Sequence, residues 1–204
     1  MKLLTTALAA MLCSFSNNKV MAQIPMVKHI ATPVTPADTL QQMLPTNGSD
    51  FEVSEDPQNG RLVYKGIFTY EDMVKEPTFS WLAKGIDEYH PDKDALLSLK
   101  KHLTYYKILV FLGTWCGDSH DMIPKLYKTL DGLNITYDNL MLVGMDRKKK
   151  TKTHTAKKLA KKYDISHLPT IVLIDENGNA AGRINETVSR SVEHDLSEII
   201  NKNR

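Results

Sequence analysis

Three short apolar runs limit most sharply what this chain can fold into. Lys107–Leu112, Leu140–Met145 and Thr170–Ile174 are continuous rather than alternating, as strands covered on both faces must be. Between them lie segments of helical character, Cys116 to about Leu130 and the Lys-rich Thr155–Tyr163. After the third run, Asp175–Asn179 contains Asn177-Gly178, a strong hairpin signal, and leads into Ala180–Ile184. A last helix is predicted over Ser189–Asn201. Upstream, Asp92–His102 reads as a helix with Leu96, Leu97, Leu99 and Leu103 on one side, and Arg61–Phe68 alternates as a strand. Thr69–Lys75 is helix or turn ended by Pro77, and Trp81 and Tyr89 fall in an irregular stretch closing at Pro91. The order predicts an α/β fold: parallel strands linked by helices, a central mixed sheet with helices on both faces, and a C-terminal antiparallel hairpin plus helix.

The 204 residues are 42% apolar and 25% charged, an ordinary globular balance that argues against both disorder and a membrane bundle. The first 22 residues differ. Lys2 precedes the mostly apolar Leu3–Phe15, and Val20-Met21-Ala22 offers a cleavage site, the layout of a signal peptide. The apolar run is too short to span a bilayer. A lipid anchor on Cys13 is the alternative, disfavoured by Leu12 where a small residue is expected. Cleavage removes Lys2 and Lys19 from the 26 basic residues and none of the 24 acids, so the mature chain is formally neutral. Nothing then points to nucleic acid, and no membrane insertion is expected after cleavage. The expected location is periplasmic or secreted. Residues 23–58, rich in Pro, Thr, Asn and Gln, read as a flexible leader. Residues 59–91 read as an N-terminal extension packed on the core, and 92–204 as the main domain.

Loss of Cys13 leaves Cys116 as the only cysteine. It follows a buried strand and opens a helix, where free backbone N–H groups and the helix dipole favour a thiolate. The competing reading is an inert, buried small hydrophobe. Trp115 would shelter the sulfur and present a flat apolar surface to a partner. Arg147-Lys148-Lys149-Lys150, at the same sheet edge, either steers an acidic partner or is a solvated basic loop. Cys116 and His120, spaced i and i+4, with His167 as a third donor, give a minor metal-site alternative. No metal and no cofactor is expected.

Thr114-Trp115-Cys116-Gly117-Asp118-Ser119, Pro124 within the following helix, and Leu168-Pro169-Thr170 before the third run together resemble the thioredoxin superfamily. The longer Gly113–Ser119 segment and Asp146-Arg147 are similar to exported thioredoxin-like proteins of the Bacteroidetes type. The resemblance covers about residues 92–202. It implies a thioredoxin-like fold, a helix kinked at Pro124, a cis-proline loop at Pro169, and disulfide chemistry at Cys116. Trp115, Gly117, Asp118, Leu168 and Pro169 would contact substrate, with His167 near the cleft rim.

Two positions depart from that pattern. Ser119 stands where a resolving cysteine would, and Val110 where thioredoxins carry a buried aspartate serving that second thiol. A serine hydroxyl cannot attack a mixed disulfide, but can donate a hydrogen bond toward the Cys116 sulfur. Asp118 either opposes the thiolate or is a solvated first-turn acid stabilising its helix. The expectation is a monothiol oxidoreductase or isomerase. Its partners would be disulfide- or thiol-bearing exported proteins, with an external thiol or reductase to resolve the adduct. The alternative is a non-catalytic binding or chaperone module. A one-cysteine peroxidase is disfavoured, since the Pro and Thr usual before a peroxidatic cysteine are absent.

Overall fold

The structure, a computed structural model, describes residues 48–204. The signal peptide expected at 1–22 and the leader as far as residue 47 lie outside the described residues. Six strands, β1 (Asp50–Glu55), β2 (Leu62–Phe68), β3 (Lys107–Leu112), β4 (Leu140–Gly144), β5 (Thr170–Ile174) and β6 (Ala180–Asn185), form one sheet in the order β1-β2-β4-β3-β5-β6. All of β5, and all of β3 beyond Lys107, is buried, which accounts for their unbroken apolar sequences.

Among the described residues six α-helices cover the sheet: α1 (Tyr70–Val74), α2 (Ser80–Glu88), α3 (Lys93–Lys100), α4 (Gly117–Leu133), α5 (His154–Lys162) and α6 (Val192–Lys202). Side chains of β3 divide between the faces with the strand period of two. Ile108, Val110 and Leu112 join Leu82, Leu99, Leu126 and Leu196 on one side. Leu109 and Phe111 join Ala156, Leu159 and Tyr163 on the other. The mixed sheet, helices on both faces and terminal hairpin plus helix are therefore present.

Strand direction corrects one expectation. Only β3 and β4 run parallel; β5 is antiparallel to β3, with Thr170 opposite Phe111. A five-residue buried run carries no mark of its direction, which is set by its connections. Here α5 and its loops return the chain to the edge where β3 and β4 end, so β5 begins there.

Two further corrections lie before residue 92. Trp81 and Tyr89 are not in irregular structure: Trp81 lies in α2 and Tyr89 is its C-cap. Gly85 obscures this helix in the sequence, yet it is the residue that lets α2 approach α4. A Cβ there would sit 2.6 Å from Pro124 Cβ. The stretch assigned to the leader as far as residue 58 also contains β1, which pairs with β2 along its whole length. Phe51 stacks on Tyr64 with ring centroids 4.4 Å apart. Beyond β1, β2 seats itself on β4 through Gly66 opposite Gly144. Gly66 has φ +138°, and a Cβ on Gly144 would lie 2.0 Å from Tyr64 O. Burial of Phe68, Met73, Phe79 and Leu82 contributes about 1.5–3 kcal/mol each to holding the extension on the sheet.

Candidate active site

At the end of β3 the chain turns through Gly113, Thr114 and Trp115, and Cys116 N–H donates to Gly113 O at 2.9 Å. Cys116 is the N-cap of α4, with extended backbone at φ −89° and ψ 130°. Its carbonyl accepts the first helical bond, from His120 N–H at 3.1 Å. No side chain caps this helix, so the amides of its first turn remain a cluster of donors at the positive end of the dipole. Pro124 sits inside the helix and removes one internal donor.

Because β5 starts at this same edge, Leu168 and Pro169 lie beside the cysteine. The Leu168–Pro169 peptide is cis. Cys116 S–H donates to Leu168 O at 3.8 Å, and Cys116 is a free thiol with 9% exposure. Gly117 and Asp118 are exposed on the first turn, and a Cβ on Gly117 would meet open space. Cys116, Trp115, Gly117, Asp118, Leu168 and Pro169 are thus neighbours on one edge.

Ser119 corrects a detail. It is fully buried, and its Oγ accepts from Gly113 N–H at 3.2 Å instead of donating to the sulfur. The hydroxyl therefore ties the first turn of α4 to the strand-leaving turn. Val110 is fully buried within the apolar core.

Trp115 is not a free flat surface. Its indole N–H donates to Met145 O at 2.9 Å, and the Arg147 guanidinium covers a face at 4.3 Å from the ring centroid. Nor is Arg147 part of a solvated loop. Its Nη2 and Nε reach Asp56 at 2.7–3.0 Å, and Asp56 is only 2% exposed. These bonds hold the Asp56 carboxyl below its ordinary 3.8 against the cost of burial. Lys148, Lys149 and Lys150 are exposed.

The extension supplies residues that no local pattern announces. Arg61 Nη1 donates to Trp115 O at 3.2 Å across 54 residues, and Asp56 meets Arg147 across 91. Thr114 Oγ1 donates to Leu62 O at 2.7 Å and accepts from Tyr64 N–H at 3.1 Å, fastening β2 to the active-site turn. Trp81 stacks on His120 at 4.1 Å and 12°. The only partial signal was the cluster of Trp81 and Tyr89 in an otherwise polar stretch.

His120 Nε2 donates to Thr114 O at 2.8 Å, so that nitrogen is turned to the backbone. Burial lowers its pKa from 6.5, with the Thr114 bond opposing and Arg61 assisting. His167 is exposed and its Nδ1 pairs with Ser166 Oγ at 2.9 Å. Cys116, His120 and His167 therefore do not converge. Among the described residues no group of three or more His, Cys, Asp or Glu side chains is arranged to hold a metal ion.

Residues 93–191 match the family described as a thioredoxin-like domain. The fold is thioredoxin-like. Among solved structures, a protein of unknown function from Pseudomonas aeruginosa is 15% identical with a TM-score of 0.48, covering 65% of this chain and 89% of that one. An HIV epitope scaffold is 15% identical with a TM-score of 0.44, over 65% and 87% respectively. No curated protein matches the chain. Within the thioredoxin-like domain, the Cys116 turn and the Leu168–Pro169 loop face each other. The extension, residues 48–91, is bonded to the Cys116 turn through Arg61, Leu62 and Tyr64.

Proposed function

We propose that this chain is a monothiol thiol–disulfide oxidoreductase or isomerase, acting through mixed disulfides of Cys116 on exported proteins or small thiols. One observation carries the reading. A free thiol stands at an uncapped helix N-terminus 3.8 Å from Leu168 O, while the residue one turn on, Ser119, is a buried hydroxyl. The match to a thioredoxin-like domain supports the reading, because that superfamily is of the thiol–disulfide oxidoreductase type.

The Cys116 thiolate attacks one sulfur of a substrate disulfide. A Cys116–substrate S–S bond forms as the substrate S–S bond breaks, and the displaced sulfur leaves as a thiolate. A second thiol then attacks the mixed disulfide and restores the Cys116 thiolate. Drawn from the same substrate, that thiol completes an isomerisation; drawn from outside, it completes a reduction. Ser119 cannot take this part. In refolding of scrambled ribonuclease with glutathione, the full chain accelerates recovery of activity and Cys116→Ala does not. Equal acceleration by Cys116→Ala sinks the reading. The burial of Cys116 favours a second reading, a module that holds partners without turnover. It requires Cys116→Ala to bind an unfolded client as tightly as the parent chain.

A further inference from the structure

Two arginines meet Trp115, and they are not equivalent. Arg147 is engaged by the buried Asp56. Arg61 is exposed, donates one N–H to Trp115 O, one peptide unit from Cys116, and among the described residues has no carboxylate within ion-pair distance. A guanidinium carries five N–H donors, so most of its capacity faces outward.

Arg61 lines a groove together with Leu62, Thr78, Phe79, Thr114 and the stacked rings of Trp81 and His120. No carboxylate lines it. Arg61 is therefore its one permanent charge, beside an aromatic platform and bonded to the carbonyl of the residue before the reacting cysteine.

We propose that this groove is a substrate subsite. In it Arg61 binds a carboxylate carried near the disulfide that Cys116 attacks, and the Trp81–His120 stack receives the apolar part of the same group. The proposal rests on the thiol–disulfide reading above and adds a substrate class to it. A guanidinium presents two parallel donors to a carboxylate, a geometry neither an ammonium nor a hydroxyl ligand can use. The carboxylate comes either from an acidic residue of a polypeptide or from the acid group of a small thiol.

The test is the rate of mixed-disulfide formation on Cys116 in the full chain, followed by intact mass. The small probes are 3,3′-dithiodipropionate, 2-hydroxyethyl disulfide and cystamine. The peptide probes are a pair of decapeptides, each with one cysteine blocked as a disulfide and flanked by Glu or by Gln. Each rate is divided by that of N-acetylcysteinamide, which has no groove. The carboxylate probe is preferred over the neutral one roughly five-fold, with cystamine slowest. Arg61→Gln brings the ratio near one, and Arg61→Lys keeps part of it. Preference confined to the Glu peptide identifies a polypeptide source, and preference confined to dithiodipropionate a small thiol. A ratio near one in the parent chain for both probe sets overturns the proposal, as does a ratio that persists in Arg61→Gln.

Should Cys116 react with none of the probes, the oxidoreductase reading fails and the groove is judged by binding alone. The chain has two tryptophans, so Trp81→Phe assigns their indole N–H signals in an NMR spectrum. The unreactive acid 3-(methylthio)propionate shifts the Trp81 signal in the parent chain and not in Arg61→Gln. No shift in the parent chain overturns the subsite.

Discussion

Glu193→Gln should destabilise the fold out of proportion to a one-atom change. Glu193 is 1% exposed in the first turn of α6. Its Oε2 accepts from Tyr89 OH at 2.8 Å and from Thr129 Oγ1 at 3.3 Å, and its Oε1 from Asp92 N–H at 3.0 Å. One carboxylate thus joins the end of α2, the start of α3, and α4 to α6. Its partners are neutral donors, and no salt bridge to it occurs among the described residues. Glutamine keeps one acceptor and turns an NH2 toward at least one donor. Thr129 has another acceptor in Lys125 O at 2.8 Å, so the cost falls on Tyr89 or Asp92. A lost hydrogen bond to a charged group, with a buried donor left unpaired, amounts to about 2–3 kcal/mol. For a domain of this size that lowers Tm by roughly 5–10 °C.

The pH dependence gives a sharper check. Burial by itself would raise the Glu193 pKa, but Asp92 N–H, Ser191 and Tyr89 OH together bring it below the ordinary 4.5. A depressed acid stabilises the fold fully above the unfolded value, and that stability is lost as pH falls through the folded one. In urea titrations from pH 7 to pH 3, the gap between parent and Glu193→Gln is widest at pH 7 and closes below about 4.5. A variant within about 0.5 kcal/mol of the parent at pH 7, or a gap that widens in acid, refutes the reasoning.

Three other substitutions probe the site and its support. Gly144→Ala places a Cβ 2.0 Å from Tyr64 O, and the forced separation of β2 from β4 costs more than about 2 kcal/mol in denaturant unfolding. Asp56→Asn frees Arg147 from its clamp over Trp115; acrylamide quenching of Trp115 rises in a Trp81→Phe background, and unchanged quenching contradicts the clamp. Ser119→Cys supplies the missing second thiol, so the glutathione adduct on Cys116 no longer accumulates by intact mass.

What the sequence revealed was what neighbours along the chain encode. The unbroken apolarity of Lys107–Leu112 and Thr170–Ile174 marks strands covered on both faces, and Trp115-Cys116 marks a strand-to-helix junction. β1 escaped because four of its six residues, Asp50, Glu52, Ser54 and Glu55, are polar, and its exposed Val53 breaks any inside-outside alternation. α2 escaped because only Leu82 is buried along it and a glycine interrupts it. The contacts of Arg61, Asp56 and Trp81 lie further out of reach. Each joins groups dozens of residues apart, and an arginine's partner is fixed by the folded surface. Ser119 escaped over a short span instead: its hydroxyl, six residues from Gly113, bonds to that turn and not to the thiol one turn away.

These long-range contacts make the extension part of the site, and a truncation tests that. Asp56, Arg61 and Trp81 all close on the segment Trp115–His120 or on Arg147 beside it, and Thr114 fastens β2 to the turn. The burial of Phe68, Met73, Phe79 and Leu82 represents about 6–12 kcal/mol before entropy is charged against it. That is comparable with the whole net stability of a domain, about 5–15 kcal/mol. The family match begins at residue 93, but a fragment of residues 92–204 would leave β4 with an unpaired edge beside an uncovered apolar face. It is expected to aggregate or to melt without a cooperative transition, and adding back residues 48–91 as a separate peptide should restore one. A fragment that unfolds cooperatively alone, with Cys116 as reactive as in the full chain, would show that the extension is an appendage.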